Sequence, residues 1–157
     1  MAVEIRKALP NEEDIELLTS LRMQMRAERE EVQPPQDLTH FREQVKEYFT
    51  TSLSGGTFTS FLVFVDGEIA ACSGLCIERH PPSYSDPEGY FGYITNMFTV
   101  KEFRGRGFAR LLIDEIRKEA IRCRCSKLML NASGMGRPVY EKYGFKDVAN
   151  EMVMFLS

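Results

Sequence analysis

YITNMFTVKEFRGRGFARLL, residues 93–112, is the stretch whose reading decides the fold. Residues 93–100 are rich in β-branched and aromatic side chains, as a half-buried strand should be. Downstream, Phe108, Leu111, Leu112, Ile116, Ala120 and Cys123 recur at helical spacing, with Arg110, Asp114, Arg117, Lys118 and Arg122 on the other face. The joint between them, Arg104-Gly105-Arg106-Gly107-Phe108-Ala109, is a turn with almost no side-chain bulk. A helix opens with unpaired N–H groups and the positive end of its dipole, so glycines that let an anion come close make a pyrophosphate cradle. Arg104, Arg106 and Arg110 add formal positive charge there.

Spacing separates the families that use such a turn. The phosphate loop of nucleoside triphosphatases ends in Gly-Lys-Ser/Thr, which is absent. A dinucleotide fingerprint counted from Gly105 would need a third glycine where Arg110 stands, and its acidic residue fails too, since the next strand ends at Asn131. Arg104, Gly107 and Ala109 do satisfy Arg/Gln-x-x-Gly-x-Gly/Ala, which resembles the acyl-CoA loop of the GCN5-related N-acetyltransferases, the GNAT family. About 30 residues on, Val139-Tyr140-Glu141-Lys142-Tyr143-Gly144-Phe145 resembles that family's (Leu/Val)-Tyr-Glu-Lys-x-Gly-Phe segment. The detailed resemblance covers roughly residues 58–156; the first 55 match in the order of strand and helices.

The whole chain bounds the reading. At 157 residues a single domain over residues 1–157 is expected, long enough for a substantial core. A net charge of −3 argues against a nucleic-acid partner, which needs a basic face to displace counterions. No apolar run approaches the roughly 20 residues that cross a bilayer, and the acidic N-terminus does not suit a signal peptide, so no membrane partner and a cytoplasmic location are expected. Cys72, Cys76, Cys123 and Cys125 lack the paired spacing of a zinc site and read as small buried hydrophobes; with His40 and His80 as the two histidines, no metal centre is expected.

Along the chain, residues 2–8 alternate as a first strand. Asn11 with Glu12, Glu13 and Asp14 starts a helix through Ile15, Leu18, Leu21 and Met25, and the mixed-charge run 26–31 reads as a solvated face. A second helix is expected from Asp37 through Phe49, with 52–56 as a loop. Residues 58–65 and 68–77 around Asp66-Gly67 read as a hairpin with a type I′ turn. The Pro-rich 79–90 is a long connection. A strand at 91–100, a helix at 107–124 and a strand at 127–131 make a parallel crossover, a short helix follows at 137–143 with Gly144 as its stop, and strands at 145–148 and 151–156 finish the chain.

This order matches the resembled family and implies its α/β (α+β) fold: a mixed sheet of about seven strands flanked by about four helices, with the fourth and fifth strands splayed. The resemblance implies acetyl-CoA as acyl donor and coenzyme A as product, with the acetyl group passing to a primary amine of a small molecule or peptide by direct attack in a ternary complex. It places the donor against main-chain groups of Phe98, Thr99 and Val100, the cradle Arg104, Gly105, Arg106, Gly107, Phe108, Ala109 and Arg110, and Asn131. Tyr140 is implied as the proton donor to the leaving thiolate, with an aromatic anchor as its alternative. Glu78, at a strand end, and Tyr93, in the acceptor-facing strand, are the candidates for a base. Glu28, Glu30, Glu31, Asp86 and Glu88 could draw in a cationic amine. A non-catalytic acyl-CoA-binding regulatory domain is the alternative function, and a homodimer is compatible with the resemblance.

Overall fold

Asp66 and Gly67 both take positive φ (49° and 83°), the backbone that a type I′ turn requires, and they fold β3 (Phe61–Val65) back onto β4 (Glu68–Arg79) as the sequence predicts. The structure, a computed structural model, describes residues 1–29 and 33–156. The strand expected at 58–65 is broken in two. β2 (Phe58–Thr59) pairs β4 at Phe58↔Cys76, and β3 resumes at Leu62↔Cys72 in the same register. At the break two buried hydroxyls stand in for ladder bonds: Ser60 Oγ donates to the Ser73 carbonyl at 2.6 Å, and Ser73 Oγ accepts the Phe61 N–H at 3.0 Å.

β1 (Val3–Lys7) pairs antiparallel with β3, β5 (Tyr90–Thr99) antiparallel with β4, and β6 (Leu128–Leu130) parallel with β5, so the sheet runs β1-β3-β4-β5-β6 with β2 on β4. The strands expected as fourth and fifth are therefore β5 and β6. Strand alternation sends Phe61, Val63 and Val65 to one face, against Phe108, Leu112 and Ile116 of α3 (Phe108–Arg122). Leu62 points the other way into Leu18, Leu21, Met25 and Phe49, from α1 (Glu12–Arg29) and α2 (Thr39–Gly55). Leu62, Leu112 and Ile116 are all but inaccessible, and burial of a side chain of this size stabilises the fold by about 1.5–3 kcal/mol.

The helix ends follow local chemistry. Asn11 Oδ1 accepts the Asp14 N–H at 2.8 Å and caps α1. α2 starts at Thr39, whose N–H is held by Asp37 Oδ1, and it continues through the expected loop 52–56 until Gly56, at φ 73°, closes it. α4 (Arg137–Tyr143) stops at Gly144 as predicted. The two closing strands expected at 145–148 and 151–156 are not formed: these residues carry no regular secondary structure, and Met152, Met154, Phe155 and Leu156 are exposed. Three-residue β6 offers a following strand little to pair with, and a two-stranded ribbon alone is marginal. Among the described residues the sheet thus has six strands rather than about seven.

One irregularity positions everything that follows. β4 and β5 pair at Cys72↔Phe98 and next at Gly74↔Thr95, so β5 carries an extra residue. Asn96 takes up the slack in the left-handed region at φ 56°, a conformation asparagine tolerates better than most residues. A bulge bends its strand, and β5 leaves β6 here: their last paired residues are Ile94 and Leu130.

Candidate active site

Past Ile94, β5 continues from Thr95 to Thr99 with no strand among the described residues on the β6 side. Val100 N–H turns toward β4 and donates to the Ala70 carbonyl at 2.8 Å, so by alternation Thr99 and Met97 face the gap. Their carbonyls are taken by arginines: Thr99 O by Arg104 Nε at 2.9 Å and Met97 O by Arg29 Nη1 at 2.8 Å. A cavity of about 500 Å³ occupies this opening, lined among others by Arg29, Phe98, Thr99, Tyr140 and the turn before α3. Val100 is not part of its lining.

The turn has the properties of an anion cradle. Gly105 and Gly107 sit at φ 79° and 82°, and a Cβ built on either would meet no atom within 4 Å, so the space before α3 is open. Gly107 is the residue before the helix and supplies no side-chain cap to the first-turn N–H groups of α3. Gly105, Gly107, Phe108, Ala109 and Arg110 all line the cavity. A pyrophosphate fits this geometry: positive backbone groups, no obstructing side chain, and basic residues at the rim.

The three arginines of the turn differ. Arg104 lines the cavity but is braced by Thr99 O and by Glu28 at 2.6 Å. Arg106 is outside the lining: its guanidinium lies over Phe103 and contacts Met1 Sδ and the Glu102 carbonyl. Arg110 reaches over the Tyr143 ring.

Tyr140 lies where two cavities meet, for it also lines a second one of about 320 Å³ with Tyr93, Asn131 and, from α1, Arg22, Arg26 and Arg29. Burial pushes the Tyr140 phenol above its ordinary range, while the Arg29 charge pulls it back in part. It is protonated at neutral pH. Tyr93 is pushed up by burial first, then by Glu151 and Glu78. Glu78 lines none of these cavities; its carboxylate is half-exposed, 3.8 Å from His80 Nε2. Asn131 reaches the second cavity but not the first, and Ser133 lines both while its Oγ accepts the Gly136 N–H. Arg137 is committed to Asp147 and Glu141.

A third cavity, also about 320 Å³, shares Arg22, Thr95 and Asn96 with the second and is walled by Phe41, Tyr48 and Phe58. The three hollows follow β5 from the cradle to the α1–α2 side. A further hollow of about 510 Å³ by Ile121, Leu128 and Phe145 contains none of the candidate residues. Of the acidic residues expected to draw in a cationic amine, Glu28 is paired with Arg104, Glu88 with Arg124, and Asp86 holds the Gly89 N–H; Glu30 and Glu31 lie outside the described residues. Of the four cysteines expected to be buried, Cys72 is buried in the core, Cys76 packs partly buried against the same cluster, and Cys123 and Cys125 are half-buried; burial lifts the Cys72 thiol to about 12, an inert state.

The sequence reading missed Asn96 and the arginine face of α1. A polar residue inside an apolar strand was the signal for the first. The spacing 22, 26, 29 was the signal for the second.

Comparison with known proteins completes the assignment. Residues 27–154 match the family model described as an acetyltransferase (GNAT) domain. A predicted acetyltransferase from Clostridium acetobutylicum, crystallised with acetyl-CoA, is 32% identical with a TM-score of 0.88, covering 98% of this chain and 96% of its own. A GCN5-related N-acetyltransferase from Ralstonia eutropha shares the fold at 24% identity and a TM-score of 0.85, with 99% of each chain covered. An aminoglycoside N-acetyltransferase in complex with CoA does so at 20% identity and a TM-score of 0.74, covering 99% and 94%. Comparison with the curated proteins gives no match. The chain belongs to the GNAT family, N-acetyltransferases whose acyl donor is acetyl-CoA.

Proposed function

We propose that the protein moves the acetyl group of acetyl-CoA to a primary amine of a small molecule or peptide, by direct attack with donor and acceptor bound together. The observation that carries this reading is the parting of β5 and β6 after Ile94 and Leu130, beside an α3 N-terminus with no side-chain cap and with Tyr140 at the junction of the two cavities. Gly105, Gly107 and Arg110 would hold the donor's pyrophosphate, and the gap side of Phe98 and Thr99 would run beside its pantetheine arm. The donor supplies an activated acyl group on a thiol leaving group.

The protein's own residues then have two proton tasks. An acceptor amine with the ordinary pKa of lysine, ~10.4, costs about 4 kcal/mol to deprotonate near pH 7.4 unless its site shifts it. Among the described residues lining the second cavity there is no Asp, Glu or His, which leaves Tyr93 and the arginine field to influence that step. The departing thiolate needs a proton, and Tyr140 carries one. Unperturbed, phenol-to-thiolate transfer is uphill by about 2 kcal/mol (~10 against ~8.5), so a cation beside the phenol is useful, and Arg29 is there.

The test is thermal stabilisation by acetyl-CoA together with thiol release over a broad amine panel. Stabilisation and amine-dependent thiol release are expected. Stabilisation without thiol release from any amine would make the chain a non-catalytic acyl-CoA-binding domain, and no stabilisation would remove the cradle assignment.

A further inference from the structure

Phe41, Val45, Tyr48 and Phe49 form one stripe of α2, the kind a helix packed on a core buries throughout. Here Phe49 alone of the four is buried: Phe41 and Val45 are half-buried and Tyr48 is 44% exposed. The stripe lines the third cavity, of about 320 Å³, together with the buried Phe58 of β2. Tyr48, Phe49 and Phe58 meet one another with ring centroids 5.5–5.6 Å apart, edge-on or tilted, and the Tyr48 hydroxyl shares a hydrogen bond of 3.3 Å with Cys76 Sγ on β4. The wall is therefore braced from both sides before anything binds. Apolar rings left facing a cavity forgo burial that an apolar ligand would restore, and a wall already ordered loses little freedom on binding. This hollow is continuous with the site, for Thr95 and Asn96 line both it and the cavity that holds Tyr93 and Tyr140. Asn96 at that junction is 5% exposed, and its side-chain amide has its contacts at the outer limit of hydrogen bonding: Arg22 Nη1 lies 3.5 Å from Oδ1 and Cys72 Sγ 3.9 Å from Nδ2.

We infer that the acceptor is a primary amine with an aromatic or branched apolar body, which fills the hollow under α2 while its amino end reaches past Thr95 and Asn96 toward Tyr140. The inference rests on the acetyltransferase reading and names the acceptor class for it. A volume of about 320 Å³ is at the small end of ligand pockets, which run from about 300 to 1,000 Å³, so it suits a single ring on a short chain. Phe41, Val45, Tyr48 and Phe58 supply the apolar walls, and Asn96 at the junction offers a polar group that orients the amine. In the transfer the neutral amine nitrogen bonds to the acetyl carbon and gives up a proton, the carbon–sulfur bond breaks, and the departing thiolate takes a proton from Tyr140. The products are an N-acetyl amide and coenzyme A. A sugar amine or a linear polyamine would strip water from hydroxyl or ammonium groups against Phe41, Val45 and Phe58 with little apolar area gained in return.

The experiment compares 2-phenylethylamine and 3-methylbutylamine with ethylamine, glucosamine and spermidine as acceptors, by thiol release with acetyl-CoA, each kcat/KM expressed per concentration of neutral amine. 2-Phenylethylamine should exceed ethylamine by about tenfold to a hundredfold, the gain expected from burying one ring, with 3-methylbutylamine between them and glucosamine and spermidine near or below ethylamine. Two variants alter the hollow in opposite ways, and stabilisation by acetyl-CoA reports that each is folded. Phe41→Ala removes a wall at the half-exposed rim and Val45→Phe fills the space, and in each the ratio of 2-phenylethylamine to ethylamine should fall to about threefold or less. Transfer to ethylamine, glucosamine or spermidine at a kcat/KM equal to or above that of 2-phenylethylamine, or a ratio unchanged in either folded variant, overturns the apolar acceptor while leaving the acetyltransferase standing. Absence of transfer to every amine, these five and a broad panel alike, overturns both.

Discussion

Arg29 Nη1 donates to the Met97 carbonyl across 2.8 Å, tying the end of α1 to the stretch of β5 that has lost its neighbour. The bond satisfies a carbonyl that β6 no longer reaches, and its guanidinium lies over the Phe98 ring with its charge felt at Tyr140. One side chain thus braces the open edge and tunes the candidate proton donor.

Replacing Arg29 with Met keeps an apolar stem and removes both effects. The orphaned Met97 carbonyl should cost about 1–3 kcal/mol of stability, read as a lower denaturation midpoint. With the cation gone, Tyr140 should titrate higher, visible in tyrosinate ultraviolet absorbance, and kcat should fall roughly 3–10-fold because a phenol of higher pKa gives up its proton less readily. Arg29→Lys should recover the titration more fully than the stability, since an ammonium supplies charge without the planar fork.

Tyr140→Phe separates chemistry from packing. The ring meets Phe145 edge-on with centroids 5.8 Å apart, a contact phenylalanine retains. Turnover should fall by about two orders of magnitude while KM for acetyl-CoA stays within about threefold. Unchanged turnover would make Tyr140 an anchor and move the proton donor elsewhere.

The elements that local chemistry dictates were legible in the sequence: the Asp66-Gly67 turn, the Asn11 cap, and the glycines before α3 and after α4. What tertiary partners decide was not. Ser60 and Ser73 break a strand by bonding across it, which requires the two to be neighbours first. Arg26 reads as solvated because its sequence neighbours are charged, yet the parting of β5 and β6 places it over a cavity. The parting begins beside Asn96, a residue whose left-handed backbone no periodicity announces. The stretch 151–156, expected as a strand, forms none: the edge strand β6 is three residues long and offers little to pair with.

Gly107→Ala tests the cradle. At φ 82° an alanine is strained by about 1–2 kcal/mol, and its methyl would stand in the open space before α3. Stability should drop by that amount and KM for acetyl-CoA should rise, whereas Gly134→Ala, at a position without positive φ and with nothing within 4 Å, should stay within about 0.5 kcal/mol of the parent. Equal KM values in the two variants would place the pyrophosphate somewhere other than the start of α3.

Asp14 couples the fold to pH. Its side chain is 2% exposed and accepts both forks of Arg6, at 2.8 and 2.9 Å, and the Leu9 N–H at 2.7 Å, which together tie β1 to α1. The Arg6 hydrogen bonds hold the carboxyl below its ordinary range, burial opposes them, and the Leu9 N–H adds to the depression. A carboxyl with a depressed folded pKa contributes stability that is fully present above its unfolded value of about 3.9 and is lost as pH falls through the folded value. Asp14→Asn should therefore cost roughly 2–4 kcal/mol at pH 7, toward the lower end because Arg6 keeps a third of its side chain in water. The gap between variant and parent midpoints should narrow as denaturation is repeated at pH below about 4, where the parent carboxylate takes up its proton. A gap that stayed constant down to pH 2 would show that the charge of Asp14 contributes nothing and that its hydrogen-bond geometry alone holds β1 against α1.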